Sequence, residues 1–249
     1  MRDAVGSVQS VLLLGGTSDI GLDIVRALMA DRATTVVLAA RDTARAERRA
    51  ASWTGSATVE VVELDATRPD THEAILGGVF DRPEGIDLAI VAAGVLGRPG
   101  DEQLLDAAAL QLVNGAGAAS LMAHTARAMR AQGRGTIVLL SSVAADRPRA
   151  SNFAYGASKA ASDAFARGLQ DALHGSGVEV MIVRPGFVRT SMTSDRPAAP
   201  GAVEPEAVTR AVIAGLRARK AVVYVPGYLR WVMLALRLLP RAIFRRLPL

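Results

Sequence analysis

A serine, a tyrosine and a lysine are spaced in this chain so that together they could move a proton onto a carbonyl oxygen. Ser142 closes the apolar run that begins at Ile137; Tyr155 follows thirteen residues later and Lys159 four residues after that. If the segment from Tyr155 onward is helical, the 3.6-residue period sets Tyr155 and Lys159 on one face, a turn apart. An ammonium placed there favours the phenolate and would lower the tyrosine pKa from about 10 toward working pH. A serine at the end of the neighbouring strand could hydrogen-bond the same oxygen that the tyrosine protonates. The set is a general acid with a polariser, suited to adding hydride to a ketone. Only two of the 29 basic residues, Lys159 and Lys220, are lysine. Position 159 therefore holds a compact, titratable charge in a chain that otherwise uses arginine. A partly buried tyrosine with a surface lysine at i+4 would look the same, so the elements around the pair must decide.

Those elements alternate strand and helix. Residues 8–14 read as a buried strand, followed by Gly15-Gly16-Thr17-Ser18-Asp19-Ile20-Gly21 and a helical pattern over 22–30. A glycine turn between a strand and a helix offers backbone N–H groups and the positive end of the helix to a pyrophosphate. A second strand, 35–40, ends in Ala40-Arg41. An acid at this point would accept from an adenosine ribose, whereas a base suits a 2'-phosphate, and Asp42 next door leaves both open. Further strands are expected at 59–64, with Asp65 at the end, at 87–92, running into Ala93-Gly94, and at 177–183, before Pro185-Gly186-Phe187-Val188-Arg189-Thr190. A long helical pattern over 107–129 contains Asn114, a polar residue that is unfavourable in such surroundings unless its amide is bonded. The pattern predicts an α/β fold: one Rossmann-type, doubly wound parallel sheet of about seven strands.

Tyr-x-x-x-Lys with an upstream serine, plus the N-terminal glycine turn, resembles the short-chain dehydrogenase/reductase family over about residues 10 to 225. The resemblance implies a catalytic set of Asn114, Ser142, Tyr155 and Lys159, in which the asparagine holds a water linking the lysine to solvent. It also implies a nicotinamide cofactor. Gly15, Thr17, Ser18, Asp19, Ile20 and Gly21 would lie at the pyrophosphate turn, Arg41 and Asp65 at the adenosine, and Ala93 and Gly94 against the cofactor. Tyr155 and Lys159 would sit at the nicotinamide ribose, and Pro185, Gly186, Val188 and Thr190 beside the nicotinamide. Two departures stand out: Asp19 replaces the middle glycine of the family pattern, and Val91-Ala92 replace two asparagines. GGTSDIG, SNFAYGASK, RPGFVRT and the ending PRAIFRRLPL are similar to one branch of the family. That branch is the reductase subunits that complete the 2'-epimerisation of decaprenylphosphoryl-ribose. The branch implies NADH as cofactor (NADPH being possible because of Arg41), a flavoprotein oxidase partner, a keto sugar on a polyprenyl phosphate as substrate, and a homo-oligomer. The alternatives are a reductase of a soluble small ketone or alcohol, and a dinucleotide-sensing interaction protein without chemistry.

At 249 residues, 50% apolar and 21% charged, the chain suits one well-filled domain. The absence of cysteine excludes disulfides, thiolate metal sites and thiol catalysis. His72, His124 and His174 lie far apart, are expected on helix surfaces, and imply no metal. Neither a signal peptide nor an apolar run of ~18 residues is evident, which points to a cytoplasmic protein or one peripheral to the plasma membrane. Residues 191–207, with three prolines, read as a substrate lid. No acid follows Glu206, while residues 207–249 carry eight arginines and one lysine. Residues 1–225 are assigned to the Rossmann-type domain and 226–249 to a basic, apolar extension of it, expected to be helical with a break at Pro240. Such a segment suits an anionic membrane surface or a subunit interface. No motif for nucleic acid accompanies the charge.

Overall fold

The computed structural model describes residues 8–246. Strand β1 (Ser10–Leu14) is buried end to end, and its side chains alternate between two cores: Leu12 and Leu14 enter one, Val11 and Leu13 the other. Two apolar faces are what a central parallel strand requires. β2 (Thr35–Ala40), β4 (Leu88–Val91), β5 (Gly135–Leu140) and β6 (Val178–Pro185) are likewise almost wholly buried. β3 (Thr58–Glu63) and β7 (Val222–Val225) form the edges. The order is β3-β2-β1-β4-β5-β6-β7, every pair parallel. The predicted doubly wound sheet of about seven strands is the sheet observed; β7 is the strand that sequence periodicity did not locate.

Helices α1 (Asp19–Asp31) and α7 (Pro205–Arg217) cover one face, pinned together by Thr209 Oγ1 donating to Asp23 at 2.6 Å. α2 (Thr43–Ala50) follows β2. α3 (Pro69–Phe80), α5 (Ala118–Gln132) and α6 (Phe153–Ala172) cover the other face through Leu76, Leu121, Met122 and Ala166.

The helix predicted over 107–129 is longer and is not uniform. α4 (Gln103–Leu110) passes into a π-helical turn at Gln111–Gly117 before α5 begins. The widened turn falls on Asn114, which is fully buried. Residues 103–132 together are long and apolar enough to cross a membrane by length and composition. In the fold this run packs on α3 and α6 as a layer of the domain. His72 also departs from expectation. It is buried in α3, with one ring nitrogen 2.9 Å from Ser120 Oγ and the other 3.0 Å from the Asp65 carbonyl oxygen.

The tail forms α8 (Leu229–Leu238) and α9 (Arg241–Phe244), broken at Leu239-Pro240 as the proline dictates. The sequence positions 247–249 lie outside the described residues.

Candidate active site

The strand order reverses between β1 and β4, which opens a crevice at their C-terminal ends. Gly15 lies there at φ +103°, and a Cβ on it would stand 2.5 Å from the Ala93 nitrogen, so the turn and the end of β4 approach as closely as backbones can. Gly21 is constrained in another way: a Cβ would meet Leu13 Cδ1 at 2.6 Å, where α1 lies on β1. The N–H groups of Gly15 and Gly16 both donate to the Ala39 carbonyl at 2.9 Å. Donors for a ligand therefore come from Thr17 and the first turn of α1 rather than from the glycines. Ser18 caps that helix, its Oγ accepting from Gly21 N at 3.2 Å.

Asp19 points away from the turn. Its Oδ2 accepts from the N–H and hydroxyl of Ser191, at 2.7 and 2.6 Å, and its Oδ1 lies 2.8 Å from Arg49. Burial pushes its pKa up, but the hydrogen bonds from Ser191 and Arg49 outweigh that and hold it below the usual carboxylate range. The departure from glycine thus becomes a tie between α1 and the segment after Thr190. A turn opened by two glycines, a helix start and a diverted carboxylate fit a dinucleotide pyrophosphate.

At the adenosine end, Arg41 is exposed after β2. Asp42 is engaged, its Oδ1 accepting from Arg45 N at 2.9 Å as the cap of α2. Asp65 Oδ1 accepts from the N–H and hydroxyl of Thr67, both at 2.8 Å, and these with the Arg41 and Arg68 charges keep it ionised below its ordinary range.

The four residues singled out for proton transfer meet at the ends of β4 and β5. Ser142 follows β5, with its Oγ accepting from Ala144 N at 3.1 Å. Tyr155 lies in the first turn of α6, and Lys159 one turn later donates to the Leu140 carbonyl at 2.9 Å. Asn114 accepts from Val95 N and donates to Val95 O, both at 2.8 Å, and its amide also reaches Ser158 Oγ at 2.9 Å. The buried amide is satisfied on both sides. Gly94 fits between them: a Cβ there would lie 3.2 Å from both Asn114 Oδ1 and Lys159 Nζ.

The electrostatics differ from the simple pair. Burial pushes the Tyr155 hydroxyl up to about 12; a hydrogen bond from Ser142 and the Arg196 charge pull the other way. Burial lowers Lys159 to about 8. The lysine therefore does not bring the tyrosine toward neutrality here. Desolvation dominates both groups, and Tyr155 keeps its proton.

A buried ionic group behind this cluster was missed in the sequence. Arg184 holds Asp163 at 2.8 and 2.6 Å and Asp146 at 3.1 Å, and Asp163 also accepts from Ser141 Oγ at 2.8 Å. Polar residues lying 17 to 38 positions apart carry no periodic signal.

In front of Tyr155 lies a cavity of about 320 Å³. Ser142, Tyr155, Pro185, Gly186, Val188 and Thr190 border it, as does Ile20. The segment read as a lid supplies Arg196 and Pro200, and is closed at its base by Arg189 N donating to Val203 O and Val203 N to Phe187 O, at 2.9 and 3.0 Å. Thr190 caps a short 3-10 turn with Thr193. The tail contributes directly, with Leu229, Val232, Met233 and Leu236 of α8 forming one wall.

The model of the short chain dehydrogenase family matches residues 9–201. The chain belongs to the short-chain dehydrogenase family. It is an NAD(P)-dependent oxidoreductase of that family. An uncharacterized oxidoreductase of Streptomyces coelicolor is 44% identical over 249 residues, covering 99% of this chain and 98% of the relative. The 1-deoxy-11-beta-hydroxypentalenate dehydrogenase of Streptomyces exfoliatus is 34% identical, covering 84% and 78%. Among solved structures, a short-chain dehydrogenase from Sphingobium yanoikuyae in complex with NADPH superposes with a TM-score of 0.78 at 27% identity, covering 92% of each chain.

Proposed function

We propose that this short-chain dehydrogenase reduces the 2-keto sugar of decaprenylphosphoryl-2-keto-erythro-pentose to decaprenylphosphoryl-arabinose, the second half of a 2'-epimerisation. The observation that carries the reading is the make-up of the cavity. Ser142 and Tyr155 open onto a space with arginines on one side and an apolar wall from α8 on the other, the two characters of a lipid-linked phosphosugar.

Tyr155 gives its proton to the ketone oxygen, and burial keeps that proton in place until a substrate arrives. Ser142 hydrogen-bonds the same oxygen. Lys159, held by the Leu140 carbonyl, would hold the cofactor ribose and return a proton to Tyr155, with Asn114 at the outer end of the relay. The nicotinamide, when bound, supplies the hydride. For the reductant, the branch resemblance points to NADH. Arg41 at the end of β2, where Asp42 is occupied as a helix cap, favours NADPH, and the Sphingobium yanoikuyae short-chain dehydrogenase was solved with NADPH. NADPH is the better-supported choice.

A flavoprotein oxidase supplies the keto sugar in this scheme, and the chain works as a homo-oligomer at the membrane face. Trp231, Leu234, Leu238 and Ile243 are exposed on the tail among its arginines, a surface suited to anionic headgroups. A second reading has support in the Streptomyces exfoliatus relative, named as a dehydrogenase of a hydroxy carboxylate: oxidation of a small hydroxy acid, or reduction of its ketone, at the same site.

The test is NADPH consumption by the purified chain with the keto sugar made by a flavoprotein oxidase, beside Tyr155→Phe. Turnover abolished in Tyr155→Phe, with cofactor affinity within a few-fold, supports the reading. No turnover by the wild type, or substantial turnover by the variant, rejects it.

A further inference from the structure

Three arginines border the cavity from two separate segments. Arg147 and Arg149 come from the loop after β5, and Arg196 from the lid. No aspartate or glutamate borders the cavity, and none of the three arginines is in an ion pair with a carboxylate among the described residues. In a chain where Arg49, Arg82, Arg98 and Arg184 all find acids, three arginines whose charge no carboxylate offsets form a concentrated positive field around one space, although Arg196 Nη2 also donates to the Gly97 carbonyl.

Two polar atoms there are buried without a partner, Arg196 Nε and Asn152 Oδ1. Buried donors and acceptors are almost always satisfied, so each of these atoms is open to a partner from a water or a ligand. One is a donor and the other an acceptor, and both border the same cavity. An anion with a neighbouring hydroxyl would satisfy the pair.

The opposite wall has the other character. Leu229, Val232, Met233 and Leu236 fall at i, i+3, i+4 and i+7, one face of α8. Arg147 joins the two walls, standing 4.4 Å over the Phe244 ring and donating to Leu239 O at 3.4 Å.

We infer that Arg147, Arg149 and Arg196 form a subsite for the anionic head of an amphipathic substrate, whose apolar chain leaves along α8 and whose hydroxyl donates to Asn152. The inference rests on the reductase reading only in placing the head beside the reacting carbonyl. The required chemistry is a phosphate ester or a carboxylate on an apolar chain. Arg196 is near enough to Tyr155 to bias its ionisation, so an anion bound there also removes a charge that works against keeping the tyrosine protonated.

The test is calorimetric titration of the full chain with octyl phosphate, octanoate and octanol, all below micellar concentration. Wild type is expected to bind at least one anion ten-fold or more tighter than octanol, and the tighter anion identifies the head group. Arg149→Ala, at a partly buried residue whose side chain has no hydrogen-bond or ion-pair partner among the described residues, should remove most of that preference while leaving octanol unchanged, as should Arg196→Ala. Arg45→Ala, on the outer surface of α2, should change nothing. Equal binding of anion and alcohol, or equal losses for both in the arginine variants, overturns the subsite. The two readings separate cleanly. Failure to reduce the keto sugar with the anion preference intact removes the sugar assignment alone, whereas keto-sugar reduction without any anion preference removes the subsite alone.

Discussion

Arg184 grips both carboxylate oxygens of Asp163, at 2.8 and 2.6 Å, where each side chain is almost wholly enclosed. Burial alone would lower the guanidinium, but the Asp163 and Asp146 carboxylates reverse this and raise it. Asp163 also holds Ser141, the neighbour of Ser142, while Arg184 immediately precedes Pro185. The pair therefore joins the end of β5, the middle of α6 and the end of β6, three elements that frame the cavity. Arg184→Met leaves two buried carboxylates without their shared cation and should destabilise the fold by about 3–5 kcal/mol. A urea midpoint equal to that of wild type would show that the network does not hold these elements.

Lys159 has a folded pKa of about 8 against 10.5 for its ordinary value. Below the folded value its charge is carried at a penalty, and between about 8 and 10.5 the unfolded chain binds the extra proton. Stability should therefore rise with pH across that window, by about 3 kcal/mol in all. Tyr155 acts in the opposite sense only above pH 10, its pKa being raised to about 12. Urea midpoints at pH 7.5 and 9.5 should increase for wild type and stay flat for Lys159→Met. Parallel slopes in the two proteins would rule out the lysine as the source.

Arg41 is exposed at the end of β2, and Asp42 is committed to the cap of α2, so in the proposed NADPH reading Arg41 pairs the 2'-phosphate. Arg41→Ala should weaken NADPH binding by roughly 1–3 kcal/mol and leave NADH nearly unchanged, as read by fluorescence titration. Equal effects on both cofactors would show that this arginine does not read the phosphate.

Removing the chain after Pro226 deletes the wall of the cavity as well as the exposed apolar and basic surface. The truncated protein should lose flotation with anionic liposomes at low salt, and also lose turnover with amphipathic substrates. Loss of turnover with flotation retained would assign α8 to the cavity alone.

Much of the site was legible because its chemistry is local in sequence. Tyr155 and Lys159 are a helical turn apart, and Ser142 ends a strand that betrays itself by four successive apolar residues. The glycine turn sits between a strand and a helix that periodicity marks clearly, and the doubly wound sheet follows from that alternation. Asn114 was visible as a polar residue in an apolar helix, and the family resemblance implied that it disturbs that helix; that the disturbance is a π turn, with the amide bonded to Val95 and Ser158, only the structure shows. Only the tertiary structure decided the rest. It turned Asp19 toward Ser191, buried His72, and set the pKa values of Tyr155 and Lys159 by desolvation rather than by their spacing. It also brought α8, Arg147 and Arg196 to one cavity from positions far apart in the chain. Burial and long-range contact are properties of how the elements pack, and a linear pattern records only which face of each element is apolar.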